Sequence, residues 1–199
     1  MMDHDELEQL LREAEQSSGN EELLMPIIER LERRAAEQGT PEHWYACAYA
    51  WYLHPRRIER QSWSARVDDR LMRALSAQPE HFLALLYLGH NSYDRGDYRA
   101  AREYFAKARN NAPKDYIGLK SYEMVVCCDV MLGGLEGCST AFQVFVEEAC
   151  TQIHTKEDIW PRELAAALER CEPPVRRRAI GNGSSRLHVW QIAWTMPVL

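Results

Sequence analysis

A spacing of 34 residues relates three pairs of similar positions in the middle of the sequence. The pairs are Pro79 and Pro113, Ala74 and Ala108, and Leu71 and Phe105. A period of this length is typical of proteins built from stacked repeats of two helices, in which each repeat packs only on its neighbours. The sequence therefore predicts an all-α chain. Its low content of helix-breaking residues, with 9 Pro and 10 Gly among 199 residues, agrees with that prediction.

The segment from Phe82 to Asp115 carries a motif of small and aromatic residues. It reads Leu85-x2-Leu88-Gly89, Gly96-Asp97-Tyr98, Ala101-x3-Phe105, Ala108 and Pro113. This segment resembles the tetratricopeptide repeat (TPR) family, although Ser92 stands where the family usually has an aromatic residue. In such a repeat the small residues Gly89 and Ala101 let two helices cross closely, and Gly96 ends the first helix.

The resemblance implies a right-handed superhelical stack of antiparallel helix hairpins, a TPR-like α-solenoid of about eight to nine helices. We expect residues 1–172 to form one such domain, followed by a C-terminal tail at 173–199. The expected parts of the domain are an N-terminal helix pair (1–40), a degenerate repeat with an inserted turn (41–79), the clear repeat (80–114), a second degenerate repeat (115–153) and a capping helix (156–172). In the second degenerate repeat, Glu123 stands where a small residue belongs.

Two local features are predicted at the edges of these repeats. Ser64 follows the inserted turn, and a serine in that position is a good helix N-cap, so we expect the next helix to begin there. Residues 133–137 read Gly-Gly-Leu-Glu-Gly, which predicts a flexible turn between two helices.

The TPR resemblance also implies a binding groove lined by the first helices of successive repeats. Its positions in this sequence are Leu83, Leu86, His90, Tyr93, Asp94, Ile117, Lys120 and Met124, with Cys127 in the same register. The TPR proteins that grip chaperone carboxylates use paired Lys and Asn here, whereas this chain has Leu86 and His90. The groove is therefore expected to take an apolar or mixed peptide or helix. Alternatively, these residues pack against the tail, where Trp190 and Trp194 must be buried.

The charge is unevenly distributed along the chain. The net charge of −6 argues against non-specific binding of nucleic acid or an anionic membrane, both of which need clustered positive charge. Residues 1–40 alone hold eleven acidic residues and four arginines. A basic group follows in the inserted turn and the next helix: Arg56, Arg57, Arg60, Arg66, Arg70 and Arg73. These arginines are interpreted as a solvated face, as a docking site for an acidic protein or, less favoured, as a docking site for nucleic acid.

No catalytic or cofactor motif is found, so neither an enzyme nor a cofactor is predicted. Cys150 and His154 share a helical face but lack a second matched pair, so no metal site is predicted. The vicinal Cys127 and Cys128 are expected to be buried thiols. The acidic start of the sequence and its lack of a long apolar run predict a cytoplasmic protein with reduced cysteines and no membrane contact.

These observations favour a non-enzymatic adaptor or chaperone-like protein that binds a protein or peptide partner in the groove. One alternative is a bacterial immunity or antitoxin-like protein that inhibits a toxin by direct binding, suggested by the modest size and the acidic N-terminal helices. A third hypothesis is a metal- or thiol-dependent enzyme using Cys150 and His154. The oligomeric state is left open.

Overall fold

The computed structural model describes residues 2–137, 139–152 and 162–170, and all regular secondary structure within them is α-helical. The helices are α1 (Met2–Gln16), α2 (Glu21–Gln38), α3 (Pro41–Tyr52), α4 (Gln61–Ala77), α5 (Phe82–Asp94), α6 (Tyr98–Arg109), α7 (Tyr116–Gly137), α8 (Ser139–Gln152) and α9 (Arg162–Arg170). The all-α prediction is thus confirmed for these ranges. None of the described helices is long and apolar enough to cross a membrane.

The chain divides into two compact units, residues 1–111 and 112–199, and each is described by itself. In unit 1, consecutive helices from α1 to α6 pack on one another, and α3 also contacts α1 and α5. The apolar stripe of each helix faces its neighbours, as Leu24, Ile28 and Leu31 do in α2 and Val67 and Leu71 do in α4. This packing buries one continuous core, which positions the exposed side chains of α3, α4 and α5.

Four helices of unit 1 begin at a residue whose side chain accepts hydrogen bonds from backbone N–H groups of the first turn. These residues are Asn20, Thr40, His81 and Asp97, before α2, α3, α5 and α6. Gly96 has a φ of +81°, which is cheap for glycine alone, and it lies in the short turn between α5 and α6. The predicted boundary inside the clear repeat is confirmed.

The start of α4 differs from the prediction. The helix begins at Gln61 with Arg60 as N-cap, and no side chain caps it. The predicted cap at Ser64 is wrong, because this residue is buried inside the helix. Its hydroxyl donates to Asn91 Oδ1 (3.1 Å) and accepts from Arg95 (2.7 Å), so it serves a contact between helices instead.

Close contact between α5 and α6 explains the glycine of the repeat motif. A Cβ atom at Gly89 would lie 2.5 Å from Cε1 of Phe105, whose side chain is fully buried. No real Cβ contact is that short, so only glycine fits at this crossing. The expectation that a small residue is required here is confirmed.

In unit 2, α7 contacts both α8 and α9. The flexible turn predicted at residues 133–137 is wrong, because α7 continues as a helix to Gly137. Glycine costs only about 1 kcal/mol relative to alanine inside a helix, and packing against neighbouring helices offsets such a cost. The expected capping helix at 156–172 corresponds to α9 where it is described. Residues 153–161 and the tail with Trp190 and Trp194 lie outside the described residues.

Candidate functional site

The described surface of α3 and α5 carries a cluster of aromatic rings. Tyr45, Tyr49 and Tyr52 have the spacing i, i+4, i+7, which places them on one side of α3. Tyr87 and His90 lie on the neighbouring helix α5, and all five side chains are partly buried. We name these five residues the tyrosine face.

Tyr87 is the centre of the tyrosine face. Its ring centroid lies 4.9 Å from that of Tyr49, 5.1 Å from Tyr52 and 5.8 Å from Tyr45. The His90 ring is 5.7 Å from Tyr87 and packs edge-on against the buried Phe105 at 5.1 Å. These spacings fall in the range in which aromatic pairs stabilise one another, so the face is fixed from below by the core.

Two phenols of the tyrosine face donate hydrogen bonds to carboxylates. The Tyr49 hydroxyl donates to Glu15 of α1 (3.1 Å), and the Tyr52 hydroxyl donates to Asp94 at the end of α5 (2.9 Å). Burial raises the pKa of both phenols; the Tyr87 ring adds to this at Tyr49, and the Asp94 charge does so at Tyr52. Both phenols therefore stay neutral at physiological pH and keep their proton as a donor.

The groove residues predicted in unit 1 have different environments. His90 belongs to the tyrosine face, and Asp94 lies beside it. Leu83 is partly buried, whereas Leu86 is only 3% exposed and belongs to the core. Tyr93 packs edge-on against Tyr98 of α6, with centroids 5.1 Å apart. A substitution such as Leu86→Glu would therefore test stability and not binding, because it would bury a charge.

The groove residues predicted in unit 2 are mostly internal. Ile117 is exposed, but Met124 and Cys127 are buried in α7. Lys120 donates to Glu123 (2.7 Å) and also pairs with Glu163 of α9. Burial alone would lower the pKa of Lys120, but these two carboxylates raise it to about 12. Lys120 therefore serves a contact between α7 and α9.

Glu123 links the same two helices. Its Oε1 accepts a hydrogen bond from the backbone N–H of Leu164 in the first turn of α9 (3.0 Å). Its side chain is only 4% exposed, and burial raises its pKa. A carboxylate at a helix N-terminus satisfies a backbone donor that has no partner within the helix. Glu123, which stands where the TPR pattern would have a small residue, thus stabilises the position of α9.

The inserted turn is joined to α4 and α5 by a buried polar cluster centred on Asn91. Its amide accepts from Arg57 (2.7 Å) and Ser64 (3.1 Å), and it donates to the Ser64 carbonyl (2.9 Å) and Asp68 (2.8 Å). Arg57 also donates to Asp94 (2.8 Å) and lies 3.8 Å above the Tyr52 ring. This cluster therefore fixes the edge of the tyrosine face.

Among the described residues, four of the six arginines of the predicted second surface form ion pairs and two, Arg60 and Arg66, do not. Arg57 is only 8% exposed and belongs to the Asn91 cluster. Three others form ion pairs: Arg56 with Glu21, Arg70 with Glu32 and Asp69, and Arg73 with Asp69. Arg60 and Arg66 are exposed and rest on tryptophan rings. Arg60 and Arg66 are therefore the arginines of this set whose guanidinium groups are most accessible to a partner.

The α3 residues of the tyrosine face were not predicted from the sequence. Their signal was the spacing of Tyr45, Tyr49 and Tyr52, which marks one side of a helix. This spacing is hard to recognise in the sequence because the same helix also carries the buried residues Ala46, Cys47 and Ala50. The role of Arg57 had no signal in the sequence, since its partners on α5 are more than 30 residues away.

We expect acidification to weaken unit 1 through His54 in the inserted turn. His54 Nδ1 accepts a hydrogen bond from the backbone N–H of Arg56 (3.3 Å), which requires an unprotonated Nδ1. Burial and the charge of Arg60 lower the pKa of His54, while Glu21 at 3.9 Å is too far to offset them by a hydrogen bond. The unfolded chain therefore takes up a proton first as the pH falls, and stability decreases below the ordinary histidine pKa of about 6.5.

Urea unfolding at about pH 7.5 and about pH 5.5 measures this effect. The free energy of unfolding should fall between the two values, and His54→Gln should make the fall smaller. Burial also lowers the pKa of His81, so protonation of His81 should account for part of the decrease that remains in His54→Gln. An equal decrease in the free energy of unfolding for the wild-type chain and for His54→Gln would show that His54 is not responsible.

The described cysteines Cys47, Cys127 and Cys128 are fully buried, as expected for the vicinal pair. Burial raises the pKa of Cys47 and Cys127, so both are protonated thiols and poor nucleophiles. Within the described residues no three metal-ligating side chains come together. The suggested Cys150–His154 pair lies outside the described side chains.

Comparison with models of known protein families finds no matching family, and comparison with curated protein sequences finds no matching relative. The TPR resemblance therefore rests on the residues of the clear repeat and stays a prediction. The candidate site is defined by the geometry of the tyrosine face alone.

Proposed function

We propose that this chain is a TPR-like scaffold that binds a segment of a protein partner through its tyrosine face, as an adaptor or chaperone-like protein without enzymatic activity. In this proposal the pairs α3–α4 and α5–α6 are antiparallel hairpins of successive repeats in a right-handed superhelix. The contacts of α3 with both α1 and α5 support it, because alternate helices line one face of such a stack. A reducing compartment such as the cytoplasm fits the free thiols of Cys47 and Cys127.

The observation that carries the proposal is the partial exposure of four tyrosines in one cluster. Tyrosine combines a large apolar ring with a polar hydroxyl and loses little side-chain entropy on binding, so it is enriched at protein interfaces. Here the rings are already held by one another and by the core beneath them. Such a preorganised aromatic patch can receive the apolar side chains of a peptide or helix.

The test compares Tyr49→Ala with the matched variant Tyr98→Ala. Both tyrosines are partly buried and each forms a T-shaped pair with another tyrosine, to which Tyr49 adds a stacked contact with Tyr45. Tyr98 lies on α6 and is not part of the tyrosine face. We expect at least one protein purified with the wild-type chain from its native cells to fall about tenfold in abundance with Tyr49→Ala. The same protein should stay close to the wild-type amount with Tyr98→Ala. Quantitative mass spectrometry measures both.

Far-UV circular dichroism of the two variants supplies the folding control. If both are folded and no co-purified protein depends on Tyr49, the tyrosine face is not a binding surface. Equal losses in both variants would point to a general effect of tyrosine removal and would also contradict the proposal.

A further inference from the structure

Two guanidinium groups near the start of α4 each rest on a tryptophan ring. Cζ of Arg60 lies 4.4 Å from the Trp63 ring centroid, and Cζ of Arg66 lies 4.9 Å from the Trp51 ring centroid. The two indole rings are neighbours, with centroids 6.0 Å apart, so both cations share one small area. We name these four residues the arginine–indole surface.

Neither of these guanidiniums forms an ion pair with a carboxylate in the part of the chain that the structure describes. Even Glu59, the residue before Arg60, makes no such pair with it. Neighbouring arginines are neutralised: Arg56 pairs with Glu21, Arg70 with Glu32, and Arg73 with Asp69. Within the described residues, the arginine–indole surface thus keeps two positive charges without an ion pair, in a chain whose net charge is −6.

The aromatic rings restrict the movement of these cations. Trp51 is 3% exposed, and its indole N–H donates to Glu32 (2.8 Å), so this ring is fixed. A guanidinium held on a fixed ring loses less side-chain entropy when it binds an anion. Its N–H edge remains available for the two oxygens of a carboxylate.

The N-terminus of α4 adds to the positive potential. Arg60 is the N-cap residue, no side chain caps the helix, and its first turn contains no acidic residue. The N-terminal end of a helix carries a partial positive charge of roughly half a unit. This charge acts in the same direction as the two guanidiniums.

We propose that the arginine–indole surface binds an acidic segment, rich in Asp and Glu, of a partner protein. It involves none of the residues of the tyrosine face, so it does not depend on the function proposed there. Single-stranded nucleic acid fits less well, because its bases need open aromatic faces for stacking and guanidiniums cover these faces here. The negative net charge of the chain also opposes a long polyanion more than a short acidic segment.

The experiment measures fluorescence anisotropy of a labelled peptide of alternating Glu and Ser in the presence of the full chain. The wild-type chain should bind this peptide, and the affinity should decrease as salt increases. A peptide of alternating Gln and Ser should not bind. Arg60→Gln combined with Arg66→Gln should weaken binding of the Glu peptide by about tenfold, because two charge-assisted contacts are lost.

The matched control combines Arg99→Gln with Lys107→Gln, which removes the same charge from two exposed positions of α6. It should change the affinity by less than about twofold. In the wild-type chain, the peptide should also shift the indole N–H resonance of Trp63 in an NMR spectrum, a readout that needs no variant.

Three results would each overturn the proposal. The first is no binding of the Glu peptide at low salt. The second is equal weakening by both double variants, which would reveal only a general charge effect. The third is tighter binding of a single-stranded oligonucleotide than of the Glu peptide, which would assign the surface to nucleic acid.

Discussion

Replacement of Asn91 by Ala is expected to lower the free energy of unfolding of unit 1 by about 2–4 kcal/mol. The Asn91 side chain is fully buried and makes four hydrogen bonds, to Arg57, Ser64 and Asp68. Alanine would remove the hydrogen-bond partner that these groups share, and two of them, on Arg57 and Ser64, are buried. The guanidinium of Arg57 should contribute most, because it would lose one acceptor while buried and keep only its ion pair with Asp94.

Urea unfolding followed by circular dichroism measures this loss, and Asn111→Ala is the control. Asn111 is exposed, so its replacement should change stability by no more than about 0.5 kcal/mol. The loss of stability caused by Asn91→Ala should be smaller when Arg57 is replaced by Met, because the buried donor that loses its acceptor is then absent. A loss below about 1 kcal/mol for Asn91→Ala would mean that the cluster does not stabilise the inserted turn.

The same alanine substitution is expected to have opposite effects at two helical glycines. Gly89→Ala should destabilise the protein by about 1–3 kcal/mol, because the new methyl group would collide with the buried ring of Phe105. Gly133→Ala, in α7, meets no atom within 4 Å and should stabilise it by up to about 1 kcal/mol. Denaturant unfolding of the two variants and the wild-type chain gives both values.

Phe105→Leu provides a further check on the collision. In the double variant with Gly89→Ala the colliding ring is gone, so the combined loss should be smaller than the sum of the two single losses. Strict additivity would show that the two residues do not interact. A stabilising effect of Gly89→Ala would contradict the close crossing of α5 and α6.

The sequence predicted local features of the fold well and contacts between distant residues poorly. Gly96 and Gly89 were interpreted correctly because a turn and a helix crossing each impose a steric demand on one residue. Ser64 was misassigned because a hydroxyl that suits a helix cap also suits a contact between helices, and only the position of Asn91 decides between them.

For the candidate site, the sequence identified α5 but not its partner helix. His90 and Asp94 were predicted from the TPR register, whereas the tyrosines of α3 acquire their role only when α3 packs beside α5. Arg57 and Arg66 carry the same charge in the same region. One is buried and the other is exposed, and that difference depends on neighbours far away in the chain.

The contact of Glu123 with α9 crosses the boundary predicted for the second degenerate repeat. Within unit 2 the carboxylate on α7 is satisfied by a backbone group 41 residues later, beyond the end of the 115–153 repeat. A chain cut after that repeat would leave a buried carboxylate and Lys120 without their partners on α9. The segment predicted as a repeat therefore depends for its polar contacts on the helix that follows it.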